Sequence, residues 1–452
     1  LGGNSHSLSP RCVAVWALET PNSYKFNQEQ NVTLGDLYKA LGVINQTWDK
    51  SFSAGMTPDI ALRDLTAMAH QQFPWQVHKS LLTLMRYYRL LRHPALAPIV
   101  EAEVGMEVRT YFLLGVIAGG ELLNRPWIAR QRALDVVGIT PHQVRRFYEP
   151  LTVRVGSLRA QIVVQQRLDR RWGFTWNPLE GTPLVRLDRN AAHAIAPISE
   201  YFYRAITNGL YYRLVNRAGF STGLGASFEA YIGDVLREAF PAPRYGVAGE
   251  TQYTVGKQAK LGTDWIVTDG SANLFIECKT KRLRLDAKMP DAVEEFEAQL
   301  DVLAGIVVQL YKNIRDAQDG HTPAWRPNTQ QIYPLVITLD EWHLLGPNVL
   351  DALDLRVKAR LRRENLPLSV LQEMPYTTCS AQDFESAVLI MAELGLDPYL
   401  REKTQPDCRV WSLKDFTMTR HAELAKRVHR PMFWDDLREI APFEAVAVPA
   451  LA

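Results

Sequence analysis

The chain has 452 residues, too many for one ordinary hydrophobic core, so two or three domains are expected. Its apolar fraction of 47 % supports compact folding, and a net charge of only +2 excludes a composition built throughout to bind polyanions; a nucleic-acid surface has to be a local patch. Cys12, Cys278, Cys379 and Cys408 lie far apart, which excludes a Cys-x-x-Cys zinc site and a disulfide framework and points to a reducing, cytoplasmic setting.

From about residue 32 to 168 apolar residues recur at spacings of three and four. The stretches "LGDLYKALGVI", "IALRDLTAMAHQQF", "WQVHKSLLTLMRYYRLLRH" and "VRRFYEPLTVRVGSLRAQIVVQQRLDRRW" predict a mainly α-helical N-terminal region. The longest apolar run, "YFLLGVIAGGELL" from Tyr111, is too short and too rich in glycine to span a bilayer, so no membrane partner is expected. Within this region "ALDVVGITPHQVRRFY" (133–148) has the turn and basic second helix of a helix-turn-helix, with Thr140 and Pro141 opening that helix. Plain helix packing explains the same pattern more simply. The Trp-, Gly- and Pro-punctuated stretch 171–187 reads as a connection between domains, and the aromatic stripe of "APISEYFYRAITNGLYYRLVN" after it as core.

From Ser221 the texture changes. A helix over 225–240 leads to "ETQYTV", then to "KLGTDWIVTDGSANLFIECKTKRLR" (260–284), a long helix over about 291–317 and the apolar strand "QIYPLVITL". Helix, strand, strand, strand, helix, strand implies an α/β fold with a mixed sheet flanked by helices. Further on, Ser380 and Asp383 open a helix after a short strand. The expected organisation is a mainly helical region over 1–187 for recognition or partner binding, a mixed-sheet core over 188–345, and a mixed α/β extension over 346–452.

The stretch 260–284 sets acids and bases into two apolar strands. Asp269 and Gly270 make a good two-residue turn, so 264–268 and 273–281 read as a hairpin and Asp269 is explained by the turn. Alternation puts Glu277 and Lys279 on one face, and antiparallel pairing brings Asp264 alongside Glu277. Two crowded carboxylates repel unless a cation lies between them, and a hard divalent ion such as Mg2+ takes such oxygen ligands. On the preceding helix Glu229 falls inside the arc of Phe228, Ile232, Val235 and Leu236, whereas Asp234, Arg237 and Glu238 fall outside it. A carboxylate on a packing face needs a partner.

A helix with Phe228-Glu229, then Gly262-Thr263-Asp264, twelve residues, and Glu277-Cys278-Lys279 resembles the PD-(D/E)xK phosphodiesterase superfamily of restriction-endonuclease-like nucleases. The resemblance covers roughly 221–339 and implies an αβββαβ core. It implies a Mg2+- or Mn2+-dependent nuclease acting on DNA, with Asp264, Glu277 and the Cys278 carbonyl as metal ligands, Lys279 serving the attacking water and the phosphate, and Glu229 completing the catalytic set. Thr263 stands where the motif's name has proline. Gln309 is followed four positions later by Asn313 and not by the tyrosine of the recombination-nuclease branch. By analogy with such nucleases the setting is prokaryotic defence or mobile-element biology, with an ATPase or recognition subunit as a protein partner and a homodimer where both strands are cut. A different class of function is a catalytically silent DNA-binding or scaffold subunit, against which the intact acid and lysine set speaks. Lys281, Arg282 and Arg284 are candidate phosphate contacts. The denser "RVKARLRR" (356–363) reads as a solvated helix.

Overall fold

The computed structural model of the protein describes residues 34–53, 69–70, 81–165, 176–187, 192–284, 286–288, 292–344, 347–428 and 430–441. The chain divides into two compact units, the first holding the described residues up to 221 together with 433–441, the second holding 222–432. These limits differ from the expected boundaries near 187 and 345, and the reasons are shared cores and shared strands. The aromatic helix after 187 belongs to the first unit, where Tyr201 packs with Val153, Leu158 and Val185. The C-terminal extension contributes a strand and a core-packing helix to the second unit. The final helix, Trp434–Ile440, is tied into the first unit by Asp436, which pairs with Arg89 and Arg92.

The first unit is mainly helical: α1 (Leu34–Ser53), α2 (Leu81–Leu91), α3 (Ala97–Val104), α4 (Val108–Asn124), α5 (Pro141–Tyr148), α6 (Val155–Gln165) and α7 (Ser199–Ile206). Helix expectations over 60–73, 75–80 and 166–172 fall almost wholly outside the described residues. The apolar run from Tyr111 buries Phe112, Leu113 and Leu114 within α4, and no described helix is long and apolar enough to cross a membrane. Four three-residue strands were not expected: β1 (Trp127–Ala129), β2 (Thr152–Arg154), β3 (Leu184–Arg186) and β4 (His193–Ile195), ordered β1-β4-β3-β2. The supposed single helix from 144 breaks because Pro150 has no N–H to extend the α5 ladder, and β2 intervenes before α6. The described part of the supposed linker, 176–187, is built into this unit, with Leu179, Leu184 and Val185 buried.

The stretch 133–148 forms one helix, not the helix pair assumed both by plain packing and by a helix-turn-helix. Asp135–Val137 is a single 3-10 turn closed by Gly138 in the left-handed region (φ 74°). Thr140 and Gln143 form a capping box for α5, which buries Val144, Phe147 and Tyr148.

The second unit is a mixed α/β layer structure. α8 (Phe220–Ala239) begins at the junction of the units and is followed by β5 (Gly246–Gly249), a hairpin of β6 (Gln252–Val255) and β7 (Gln258–Leu261), β8 (Trp265–Thr268), β9 (Ala272–Lys279), α9 (Val293–Gln318), β10 (Gln331–Thr338), α10 (Pro347–Arg363), β11 (Thr377–Ser380) and α11 (Ala381–Leu394). The main sheet has the order β11-β10-β9-β8-β5, antiparallel at β5/β8 and β8/β9 and parallel at β9/β10 and β10/β11. Each parallel step is bridged by a helix, as a parallel connection requires. "ETQYTV" is not the first strand of this sheet; its residues 252–255 pair with β7 in a separate two-stranded ribbon, and glycine-flanked β5 takes that place.

One core joins Phe275, Ile332 and Val336 of the sheet to Leu303, Val307 and Tyr311 of α9 and to Leu353, Val357 and Leu361 of α10. α8 packs against Trp265, where a Cβ at Gly233 would collide with the indole ring. That close approach lets the Trp265 Nε1–H donate to the Glu229 carbonyl at 3.0 Å.

Candidate active site

The β8–β9 hairpin is held at its closed end by Asp269. Its Oδ1 accepts the Ser271 and Ala272 N–H groups at 2.9 and 3.1 Å, and its Oδ2 accepts the Leu396 N–H at 2.8 Å. Burial pushes this carboxyl up, but these donors outweigh it and hold it below the usual range. Gly270 sits in the left-handed region (φ 81°), so Gly270 and Ser271 form the tip, one residue later than the expected Asp269-Gly270 turn. Asp269 is a turn residue at the far end from the other acids.

At the open end the register gathers carboxylates. β5 pairs Gly249 with Trp265, and β8 pairs Trp265 with Ile276. One step beyond these pairs, Glu250, Asp264 and Glu277 stand abreast on three neighbouring strands. Asp264 and Glu277 are 8 % and 5 % exposed, while Glu250 and Glu229 are half-buried. Asp264 Oδ2 accepts the Cys278 N–H at 2.6 Å. Lys279 Nζ donates to Glu277 Oε1 at 2.5 Å, and Glu277 Oε2 is buried with no hydrogen-bond partner.

The charges of this group strain one another. Burial, then the neighbouring Asp264 charge, pushes Glu277 up to about 7 against the pull of Lys279. Burial, Asp264 and Glu250 likewise push Glu229 up to about 7, so α8 does bring Glu229 within electrostatic reach of the sheet acids. Burial raises Asp264, with Lys279 and the Cys278 N–H opposing, and burial with Asp264 raises Glu250. For Lys279 burial lowers the ammonium's affinity for its proton, but Glu277 and Asp264 more than restore it, and Lys279 stays charged. One ammonium faces four carboxyls.

The loop leading to Asp264 is anchored on both sides. The Gly262 N–H donates to the Thr251 carbonyl at 3.1 Å, and Asn313 of α9 donates to the Gly262 carbonyl at 3.1 Å while accepting from Gln309. Asn313 thus clamps the chain two residues before the site.

The residues fit a hard divalent cation. Among the described residues no three His, Cys, Asp or Glu side chains already form a ligand group. Asp264 and the orphaned Glu277 Oε2 supply two oxygens. Within one strand residue the N–H and C=O point the same way, so the Cys278 carbonyl is directed to the side on which its N–H meets Asp264. Few protein oxygens with several waters is the usual Mg2+ or Mn2+ arrangement. The Cys278 thiol starts from the opposite face of β9 from Glu277, so only its carbonyl is a candidate ligand.

The expected phosphate contacts divide. β9 ends at Lys279, and Lys281 and Arg284 follow it on the surface. Arg282 is instead drawn into the fold, its side chain 9 % exposed and paired with Asp340 at 3.1 Å. In "RVKARLRR" Arg356 and Arg360 pair with Glu297 and Asp301 of α9, leaving Lys358, Arg362 and Arg363 exposed.

Glu250 escaped the sequence reading. Its signal was available only through β5: had "GVAG" been read as a strand, the register would have set Glu250 beside Asp264. Comparison with protein families, with curated proteins and with solved structures found no match for this chain.

Proposed function

We propose that the second unit is a Mg2+- or Mn2+-dependent deoxyribonuclease with a restriction-endonuclease-like core of the PD-(D/E)xK type. The observation that carries this reading is the row of Asp264 and Glu277, with Lys279 on Glu277 and one Glu277 oxygen left without a partner, at one end of a mixed sheet. The run α8, β5, β8, β9, α9, β10 supports it, since with the β6–β7 hairpin set aside as an insertion it has the αβββαβ order.

When bound, the metal would lower the pKa of a water, polarise the phosphoryl group and offset charge on the phosphate. Asp264, Glu277 and the Cys278 carbonyl would hold it. Lys279, which keeps its proton, orients the water and offsets negative charge developing on the phosphate; it is a poor base. Glu229, half-buried on α8 beside the sheet acids, is the carboxyl placed to take the proton from that water.

The test is cleavage of supercoiled plasmid with Mg2+, Mn2+ or EDTA by wild type, Asp264→Ala and Lys279→Ala. Wild type cleaves with either metal and not in EDTA, and each variant loses on the order of a hundredfold or more. Equal cleavage by all three proteins, or cleavage undiminished by EDTA, overturns the assignment.

A further inference from the structure

One stretch of the first unit's sequence is rich in arginine. Between residues 125 and 190 there are twelve arginines, no lysine and five acids, in a chain whose net charge is +2. The planar guanidinium fork matches phosphate oxygens better than a point-like ammonium does.

Strand register gathers part of this charge. Arg154 of β2 and Arg186 of β3 are directly paired, so both start from one face of the four-stranded sheet. β3 pairs with β4 at Val185↔Ile195, and β4 with β1 at Ala194↔Ile128, which sets Ile128 in the row of Arg186. Arg130 lies two residues beyond Ile128, and its N–H still donates to the Ala192 carbonyl at 2.6 Å, so alternation carries it onto the same face. Arg154 is exposed, Arg130 and Arg186 are half-buried, and the Arg186 Nε–H is buried without an acceptor.

Burial and the nearby Arg186 charge hold Arg130 below the usual guanidinium range, with Glu149 and Tyr148 opposing. In the same region Arg125 and Arg132 both pair with Glu121. Like charges directly opposite one another weaken a strand pair, a cost that an extended anion laid across the face would offset.

We propose that the Arg130, Arg154 and Arg186 face of this sheet docks the phosphate backbone of double-stranded DNA. The choice of DNA over another polyanion rests on the nuclease reading, whereas the charge pattern stands without it. The face contributes affinity and salt dependence and reads no bases.

The experiment measures fluorescence anisotropy of a short labelled duplex with the full chain in EDTA across a salt series. Arg154→Ala weakens binding several-fold and Arg154→Ala/Arg186→Ala about tenfold, each arginine removed lowering the slope of log K against log salt by about one. Arg362→Ala/Arg363→Ala, on exposed α10 positions, binds as wild type. Thermal melting establishes that each variant is folded, and the exposed single change Arg154→Ala decides the matter where the double variant melts early. Wild-type affinity and slope in a folded Arg154→Ala overturn the proposal. So does a wild-type chain that ignores DNA and binds phosphatidylcholine/phosphatidylserine vesicles through these arginines. Arginine-dependent binding by a wild-type chain that never cleaves leaves this inference standing and removes the nuclease reading.

Discussion

The five-stranded sheet sets Glu250, Asp264 and Glu277 abreast, and the four-stranded sheet sets Arg154 opposite Arg186; both put like charges in neighbouring register. They differ in depth. Asp264 and Glu277 are buried, and desolvation, then the poorly screened Asp264 charge, pushes Glu277 up to about 7. Arg154 is exposed and its neighbours half-buried, where solvent weakens the repulsion. A buried acid row calls for a small, hard counter-charge that fits inside it. A basic row at the surface calls for an extended anion. Under the proposed function the first sheet would govern turnover and the second would govern affinity.

The largest expected effect separates the two rows directly. Glu277→Gln keeps the side chain's size and removes the charge, so turnover at saturating duplex falls by on the order of a hundredfold or more, while anisotropy in EDTA reports unchanged binding. Arg154→Ala/Arg186→Ala gives the reverse: weaker binding, with turnover at saturating DNA close to wild type. If Glu277→Gln weakens metal-free binding as much as the arginine changes do, the division of labour fails.

What the sequence made legible follows from element length and side-chain type. β8 and β9 are apolar runs around a turn, so Asp264 and Glu277 could be set side by side and Asp269 assigned to the turn, though the tip lies one residue later. Glu229 stood out as an acid within an apolar helical arc, and α8 holds it near the sheet acids. β5 did not stand out because Gly246 and Gly249 carry no side chain to show alternation, and Glu250 was lost with it. "ETQYTV" alternates well, but alternation says nothing about which strand it pairs with, and it pairs with β7. Three-residue strands such as β2 and β3 are too short for a period, so the Arg154–Arg186 pair is visible only once register is known. Arg282 read as a free strand-end base because its partner, Asp340, lies 58 positions away in the chain and joins it only in the fold.

A smaller effect appears in stability. Glu277 and Glu229 have folded midpoints near 7, above the ordinary 4.5 of a glutamate, so the fold binds their protons more tightly than the unfolded chain does. Their contribution favours the fold at low pH and is lost as pH rises from about 4.5 through 7. In EDTA this lowers the wild-type melting temperature relative to that of Glu277→Gln across that window. Mn2+ raises it more at pH 8 than at pH 5, because the cation competes with protons for the same oxygens. Glu277→Gln flattens both trends, whereas Arg154→Ala/Arg186→Ala leaves them intact, since guanidinium groups do not titrate in this range. A wild-type melting temperature that keeps a constant offset from Glu277→Gln across this pH range, and that Mn2+ does not raise, shows that the acid row carries no uncompensated charge.

The smallest expected effect falls on Glu250. It is half-buried, and it contributes to raising both Glu229 and Glu277, ranking behind burial and Asp264 in each case. Glu250→Gln removes that repulsion, so both carboxyls titrate lower in the metal-free protein, and with Mn2+ bound the acid limb of kcat/KM set by Glu229 moves to lower pH by a fraction of a unit. Turnover on the pH plateau falls only slightly if Glu250 acts through charge alone. A loss on the scale of Glu277→Gln would instead make Glu250 a third direct ligand, and the acid row would then span all three strands as one metal site. A pH–rate profile in saturating Mn2+ distinguishes these outcomes, because an electrostatic neighbour shifts the limb while a lost ligand lowers the plateau.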